Sequence, residues 1–159
     1  MKKEVNITYI KGWAHSEGFY EPIHGHKKVN TLFTKHYHNA IYLLAGLNAS
    51  SRDLLEFLIQ RMDKDNVVQS NTKVREDFMT LIYNATRGDI TYSHNTIKKA
   101  FQVLVKKNLL LTRETRGSYI VNPEYFFKQD EKDRIQQIKL ILEMKTWRNN
   151  FESNKNKEL

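Results

Sequence analysis

The sequence contains no cysteine and little proline or glycine, with 2 and 6 of these residues among 159. The absence of cysteine excludes a disulfide-stapled secreted fold and every thiolate-bound zinc or iron–sulfur site. The scarcity of proline and glycine argues against a long flexible linker. No apolar run approaches the roughly 20 residues of a membrane span, and the N-terminus lacks the apolar core and cleavage site of a signal peptide. We therefore expect a soluble, cytoplasmic protein with no membrane partner.

Hydrophobic residues make up 40% of the chain and include 8 Phe and 8 Tyr, which is enough to build a core of single-domain size. The net charge of +8 is unevenly placed, because residues 94–122 hold +5 whereas residues 51–93 hold −1. A basic segment of this kind is either a solvated face or a surface for a polyanion such as a nucleic acid. The arrangement of its side chains must decide between the two.

The first 50 residues predict strands, turns and one helix. Residues 5–10 read as a strand, and residues 17–30 read as turns with a short strand near Phe19 and Tyr20. Apolar residues at helical spacing predict a helix that Gly46 ends: Phe33, Tyr37, Ile41 and Leu44.

Two further helices and a very short strand are predicted before residue 90. Ser50 is placed to cap the first helix, with Asp53 three residues later. Its buried side is formed by Leu54, Leu55, Leu58, Ile59 and Met62. A strand at 67–68 and a helix over 73–86 follow. The inward residues of that helix are Val74, Phe78, Leu81 and Ile82.

The segment 90–122 predicts a capped helix that runs directly into a β-hairpin. Ser93 is expected to cap the helix. One face of the helix is apolar, and the other carries Asn95, Lys98, Lys99, Gln102 and Lys106. Strands are expected at 109–112 and 118–122, so that the turn between them presents Arg113 and Arg116.

This order of elements predicts the fold class: α+β, mainly α, a winged helix-turn-helix with an N-terminal β extension and a C-terminal amphipathic helix. We divide the chain into the extension (1–30), a DNA-binding domain (31–128) and a C-terminal helix and tail (129–159). The capped helix of such a fold enters the major groove of double-stranded DNA. The predicted DNA-binding residues are Ser93, His94, Asn95, Thr96, Lys98, Lys99, Gln102, Lys106, Arg113 and Arg116.

Residues 130–149 predict a charged amphipathic helix with a broad apolar stripe. The stripe contains Ile135, Ile138 and Leu142. It serves either a homodimer or the coverage of the chain's own domain, and the sequence leaves both open.

Several short patches resemble the RepL-type plasmid replication proteins of Gram-positive bacteria. They are residues 93–97, residues 104–109 and the Asn-Pro-Glu step at the end of residues 117–124. The resemblance covers about residues 30–145, and the first 30 residues match poorly. It implies an initiator that binds a plasmid replication origin and recruits host replication proteins, and it transfers no catalytic residue.

Two other functions remain open at this point. A transcriptional repressor would share the same fold, because function lies in the partner and the site. A metal-dependent rolling-circle nickase would use a His-x-His pair such as His36 and His38. On the predicted helix these two side chains would point about 200° apart and could not share a metal. His24 and His26 form a second such pair in a predicted turn. No phosphate-binding loop or nucleophile elbow is present, so we expect no enzyme activity, no cofactor and no metal.

Overall fold

The computed structural model describes the backbone of residues 4–30 and 34–155, with side chains for residues 6–27 and 34–145. Over these residues the fold is α+β, with five helices and three small antiparallel sheets, which confirms the α+β part of the expected class. The chain separates into two compact units, Met1–Phe33 and Thr34–Leu159. None of the helices in the described range combines the length and apolarity needed to cross a lipid bilayer.

The first unit is a long β-hairpin. Strand β1 (Glu4–Ser16) pairs antiparallel with β2 (Phe19–Asn30), with a bulge between Ile10 and Gly12. The prediction of turns over 17–30 is therefore wrong, because only Glu17 and Gly18 turn the chain. Both have positive φ, at 47° and 86°, as the tightest hairpin turns require.

Two residues that suggested turns are accommodated within β2. Pro22 has no N–H to donate. Both strands of a two-stranded sheet are edge strands, so the nitrogen of Pro22 can face solvent and no hydrogen bond between the strands need be lost. Gly25 is buried because the ring of Tyr9 lies over it, and a Cβ there would come within 2.7 Å of Tyr9 Cζ. Aromatic cover of a glycine in this way stabilises a strand.

The second unit contains all five helices of the described residues and three small groups of strands. The helices are α1 (Ala40–Ala45), α2 (Ala49–Arg61), α3 (Thr72–Ala85), α4 (His94–Lys106) and α5 (Glu131–Lys155). The strands are β3 (Lys35–His36), β4 (Val67–Gln69), β5 (Leu110–Thr112), β6 (Ser118–Val121) and β7 (Phe126–Phe127).

The strands of this unit form two separate sheets. Strand β6 lies between β4 and β5 in an antiparallel sheet of order β4-β6-β5, in which Val68 pairs with Tyr119 and Leu111 with Ile120. Strands β3 and β7 form a second antiparallel pair. The chain therefore returns to the start of the unit after leaving β6.

The helix predicted from residue 33 to residue 44 is wrong in its first half. Lys35 and His36 form β3, and the Tyr37 N–H donates to the carbonyl of Tyr125. Helix α1 begins only at Ala40 and ends before Gly46, and Ile41 is 63% exposed. Phe33 lies outside the described residues. Pairing with a strand about 90 residues away overrides the local helical spacing.

Asparagine and serine side chains begin the three longer helices before α5. Asn48, not Ser50, caps α2, because its side chain accepts a hydrogen bond from the Ser51 N–H at 2.9 Å. Asn71 caps α3 in the same way. Ser93 caps α4 as predicted, accepting from the Thr96 N–H at 3.1 Å. Each cap satisfies one donor that the helix leaves unpaired.

The core lies where α2 packs on α4. Buried residues at the ends of strands β4, β5 and β6 complete it. The predicted buried side of α2 is confirmed, from Leu54 to Met62. Phe78 of α3 is buried as expected, whereas Leu81 is 49% exposed, so its assignment to the core was wrong. The largest fully buried side chains are Phe78, Phe126, Phe127, Leu54, Leu55, Leu58, Ile59, Ile97, Leu104, Leu109, Leu110 and Val121.

Arg134 fastens the start of α5 to the rest of the unit. Its guanidinium donates to the carbonyls of Pro123 and Glu124, contacts Glu131, and lies 3.5 Å above the ring of Tyr37. The Tyr37 hydroxyl donates to Glu131 at 2.8 Å. Burial and this hydrogen bond raise the pKa of Tyr37, while hydrogen bonds from Tyr37 and Arg134 lower the pKa of Glu131.

Candidate nucleic-acid interface

Helix α4 separates an apolar face from a polar one along its whole length. Ile97, Ala100, Phe101 and Leu104 are buried. The opposite face is exposed, at Asn95, Lys98, Lys99, Gln102 and Lys106. This side of the helix is therefore free to meet a ligand that accepts hydrogen bonds and carries negative charge.

The β5–β6 hairpin is fixed beside α4 by local contacts. Asn108 has a φ of 57° and reverses the chain, and the Leu109 N–H donates to the carbonyl of Leu104 at 3.0 Å. The ring of Phe101 stacks on that of Tyr119, with 5.5 Å between centroids. The hairpin therefore lies along the helix and does not extend away from it.

The tip of the same hairpin is joined to the start of α3. The Ser70 N–H donates to the carbonyl of Gly117 at 2.7 Å, and Gly117 has a φ of 75° that favours glycine. This contact brings the first turn of α3, and with it Arg75, to the side of the hairpin that α4 borders.

These three elements enclose an open groove of about 600 Å³, which we call the basic groove. Four cations line it, and none of its lining residues is acidic. Like charges around a concave surface reinforce one another and attract a polyanion. The lining residues are Ser70, Arg75, Lys98, Phe101, Gln102, Val105, Lys106, Thr112, Arg116, Gly117 and Tyr119.

The basic groove brings together four of the predicted DNA-binding residues: Lys98, Gln102, Lys106 and Arg116. Lys99, His94 and Asn95 are exposed on α4 but do not line it. Ser93 and Thr96 bond to each other, with 3.0 Å between their hydroxyl oxygens, so their side chains already serve the helix cap.

Arg113 is placed differently from Arg116. Its Nη1 donates to the Ser118 Oγ at 3.2 Å, and it lines a second groove, of about 390 Å³, on the side of the hairpin that faces α5. That second groove also contains Leu110, Ile141 and Glu114. Lys145 lines it as well, but the carboxylate of Glu114 and the apolar side chains suit phosphate poorly. The two arginines of the hairpin turn therefore lie on different surfaces.

Arg75 is the residue of the basic groove that sequence reasoning missed. The sequence places it in the first turn of a helix, which is correct, but helical periodicity does not say what that turn faces. Only the pairing between Ser70 and Gly117, 47 residues apart, brings it to the hairpin. Thr112 and Tyr119 were missed for the same reason. The sequence predicts the strands that contain them, but not the face of the sheet on which each side chain lies.

His36 and His38 do not lie on the predicted helix, which begins only at Ala40. His36 belongs to β3, and its ring meets Phe126 edge-on, with 5.0 Å between centroids. Among the side chains described for residues 6–27 and 34–145, no three from His, Asp or Glu come together in a way that could hold a metal ion.

Comparison with known proteins gives one match. A family model described as Firmicute plasmid replication protein (RepL) matches residues 25–158. No curated protein and no solved structure matches the chain. The match covers the whole second unit through α5 and begins within β2.

Proposed function

This chain belongs to the Firmicute plasmid replication protein (RepL) family, as the resemblance predicted, and from that premise we propose that it binds double-stranded DNA at a plasmid replication origin. The observation that supports this most directly is the basic groove, in which Arg75, Lys98, Lys106 and Arg116 converge from three elements.

We propose that the second unit is a winged helix. The order α2, β4, α3, α4, β5, β6 supports this assignment, as does the sheet order β4-β6-β5, which places the last strand in the centre. In this proposal α4 is the recognition helix that enters the major groove, and the β5–β6 hairpin is the wing that follows the neighbouring backbone.

The residues then divide into two roles. Lys106, Arg116 and Arg75 contact phosphates and supply most of the affinity, because each neutralised phosphate releases counterions. Asn95, Lys98, Lys99 and Gln102 read base edges, since amides pair with adenine and lysine reaches guanine. His94 lies in the first turn of α4, where free backbone N–H groups favour a phosphate, whereas the Thr96 N–H already donates to the Ser93 Oγ.

We further propose that the protein acts in the cytoplasm as an initiator, by binding the origin and recruiting host replication proteins, without catalysis of its own. The polar groups that line the basic groove are cations, an amide and hydroxyls, which suit recognition. Family membership favours an initiator over a repressor of the same fold.

We also propose a homodimer formed through α5. Ile135, which belongs to the stripe predicted from the sequence, is 46% exposed, and a dimer would match an origin built from paired half-sites. Of the stripe predicted from the sequence, Ile138 and Leu142 line a small groove with Leu111 and Pro123 of their own chain. Part of that stripe therefore covers the domain to which it belongs.

Duplex binding is tested by selecting a site from a randomised duplex pool and then measuring fluorescence anisotropy on that site. The double variant Lys98→Ala with Lys106→Ala should bind more than about tenfold more weakly, and the slope of log K against log salt should shrink by about 0.9, because only Lys106 of the two is assigned to a phosphate. The matched control is Lys64→Ala with Lys139→Ala, two exposed lysines that do not line the basic groove. Equal losses in the two double variants would show that the charge acts diffusely, and would refute the groove as the interface.

Origin recognition is tested separately. A plasmid that carries the selected site should replicate only when this protein is supplied, and should fail with the Lys98→Ala and Lys106→Ala variant. Repression of a promoter by the site without any replication would instead identify a repressor.

A further inference from the structure

We propose that the β1–β2 hairpin binds single-stranded DNA by stacking unpaired bases on one of its two faces. This surface belongs to the first unit and shares no residue with the basic groove. Strand register, side-chain exposure and local charge together support this assignment.

The register sorts the side chains of the hairpin onto two faces, since partners across an antiparallel pair share a face. One face, which we call the ring face, carries the rings of Trp13, His15, Tyr20, His24 and His26, together with Ile10 and Pro22. Two contacts support this sorting on either side of the bulge. The rings of His15 and Tyr20 lie 4.9 Å apart, and the Thr8 Oγ1 lies 3.1 Å from the His26 Nδ1.

The rings of this face are open to solvent. Trp13 is 60% exposed and Tyr20 is 70% exposed, and the three histidines are exposed as well. Large aromatic side chains left in water on a two-stranded ribbon gain little from the fold itself, and such a ribbon is only marginally stable alone. Their placement therefore calls for a ligand with flat, apolar surfaces.

The charge of the ring face suits a nucleic acid. Among the side chains described for residues 6–27, this face holds no carboxylate, because Glu21 lies on the opposite face and Glu17 in the turn. Lys11, which is exposed, is the extra residue at the bulge beside the rings. Phosphates near these rings meet an ammonium group and imidazoles, and no negative charge.

The spacing of the rings favours separated strands over a duplex. Rings two residues apart on one strand, Trp13 with His15 and His24 with His26, are about 6.6–6.8 Å apart, which leaves room for a base between them. The bases of a duplex are already stacked on each other, whereas unpaired bases can insert and stack on Trp, Tyr and His. The ring face therefore fits a single strand.

A second copy of the chain is the competing occupant, and the two faces of the hairpin argue against it on this side. Two of the three exposed isoleucines of the hairpin, Ile7 and Ile23, lie on the opposite face with Phe19, whereas Ile10 pairs with His24 on the ring face. The ring face instead combines aromatic surface with nitrogen and hydroxyl groups, which are the groups that contact bases.

The test uses the full chain and a fluorescein-labelled oligothymidine of about 16 nucleotides, which cannot form a duplex. Tyr20→Ala should weaken binding by at least about fivefold in anisotropy titrations. The control is Phe19→Ala, which removes the neighbouring ring, of similar exposure (75%), from the opposite face. Tyr20→Phe keeps the ring and should retain binding within about twofold, which separates stacking from the hydroxyl.

Trp13 provides a second measurement that does not depend on alanine variants. In a Trp147→Phe background Trp13 is the remaining tryptophan of the chain, and oligothymidine should quench its fluorescence. The variant Lys98→Ala with Lys106→Ala should bind oligothymidine as the parent does, so that failure of duplex recognition and failure of this proposal are distinguishable.

Three results would overturn the proposal. They are equal losses for Tyr20→Ala and Phe19→Ala, no quenching of Trp13, or a fall in molecular mass by light scattering for Tyr20→Ala with unchanged binding of oligothymidine. The last of these would identify the ring face as an interface between two copies of the chain.

Discussion

Asparagine side chains fix the joints between helices and strands in the second unit. Asn48 and Asn71 begin α2 and α3. Buried Asn66, at a φ of 59°, donates to the carbonyls of Val121 and Phe126, and Asn122 donates to the carbonyl of Asn108. Asn122 thus ties the end of the hairpin to the end of α4, which gives the Asn-Pro-Glu step a structural role. At this scale, single amides replace the backbone partners that turns leave unpaired.

The cap of α2 gives a direct test at the residue scale. Asn48→Ala should lower the free energy of unfolding by about 1 kcal/mol, because it leaves the Ser51 N–H without its partner. Ser50→Ala should change it by no more than a few tenths of a kcal/mol, since the Ser50 hydroxyl only donates to Asn48. Urea unfolding followed by circular dichroism measures both, and the reverse order would restore Ser50 as the cap.

Tyr92 predicts a dependence of stability on pH. Burial and the hydrogen bond to Asp53, at 2.7 Å, raise the pKa of Tyr92 from 10.0 to about 12. Because the pKa is raised in the folded state, the protonated Tyr92 hydroxyl makes its full contribution to the free energy of unfolding below pH 10. That contribution is lost as the pH rises toward 12.

The variant Tyr92→Phe keeps the ring that stacks on Phe78 and removes only the hydroxyl. We expect it to be less stable than the parent by about 1 kcal/mol at neutral pH. The difference in the free energy of unfolding between the parent and this variant should narrow above pH 10. Tyr83→Phe, which removes a hydroxyl from a side chain that is 55% exposed, is the control. A gap that stays constant up to pH 12 would contradict the assignment.

At the scale of the element, sequence patterns succeeded where a helix or strand is specified by its own residues. Helix α4 has a local cap and a strict apolar stripe, so its start and its polar face were both predicted. Residues 33–39 also show helical spacing, but β3 gains its partner from β7 across most of the chain. Residues 19–30 contain turn formers, yet the backbone of β1 supplies their hydrogen bonds. Local propensity is a weak prior, and long-range pairing overrode it in both places.

The hairpin β5–β6 allows a test that compares its two arginines. Arg116→Ala should weaken binding to the selected duplex several-fold and reduce the salt slope by about 0.9, because Arg116 lines the basic groove. Arg113→Ala should leave the slope unchanged, because that side chain bonds to Ser118 and lines the other groove. Anisotropy over a salt series measures both. A larger effect from Arg113 would place the DNA on the α5 side of the hairpin.

At the scale of the whole molecule, the sequence located the excess charge but not the surface that it forms. Residues 94–122 supply Lys98, Lys106 and Arg116, whereas Arg75 comes from the segment whose net charge is negative. A sum of charges along the chain therefore underestimates the positive charge of the basic groove. Contact between α3 and the hairpin tip, which no periodicity encodes, completes it.

Oligomeric state is the prediction at this scale. If α5 forms a dimer, Ile135→Glu should halve the mass measured by light scattering, because a buried charge without a partner is costly. Gln136→Glu adds the same charge at an exposed polar position of α5 and should leave the mass unchanged. A parent protein that is already monomeric at high concentration would refute the dimer. Truncation before Glu131 is a poor alternative, since it removes the Arg134 contacts that anchor the helix.

The hydrogen bond between Ser70 and Gly117 has a thermodynamic consequence for recognition. The loop at the end of the β-ribbon is fastened before any ligand arrives, so the conformational entropy of ordering it is not lost on association. Calorimetry of duplex binding should then give a heat capacity change that reflects buried surface alone, without the larger negative value of a segment that folds as it binds. Because the basic groove is already formed, the rate of association with a duplex should depend chiefly on ionic strength.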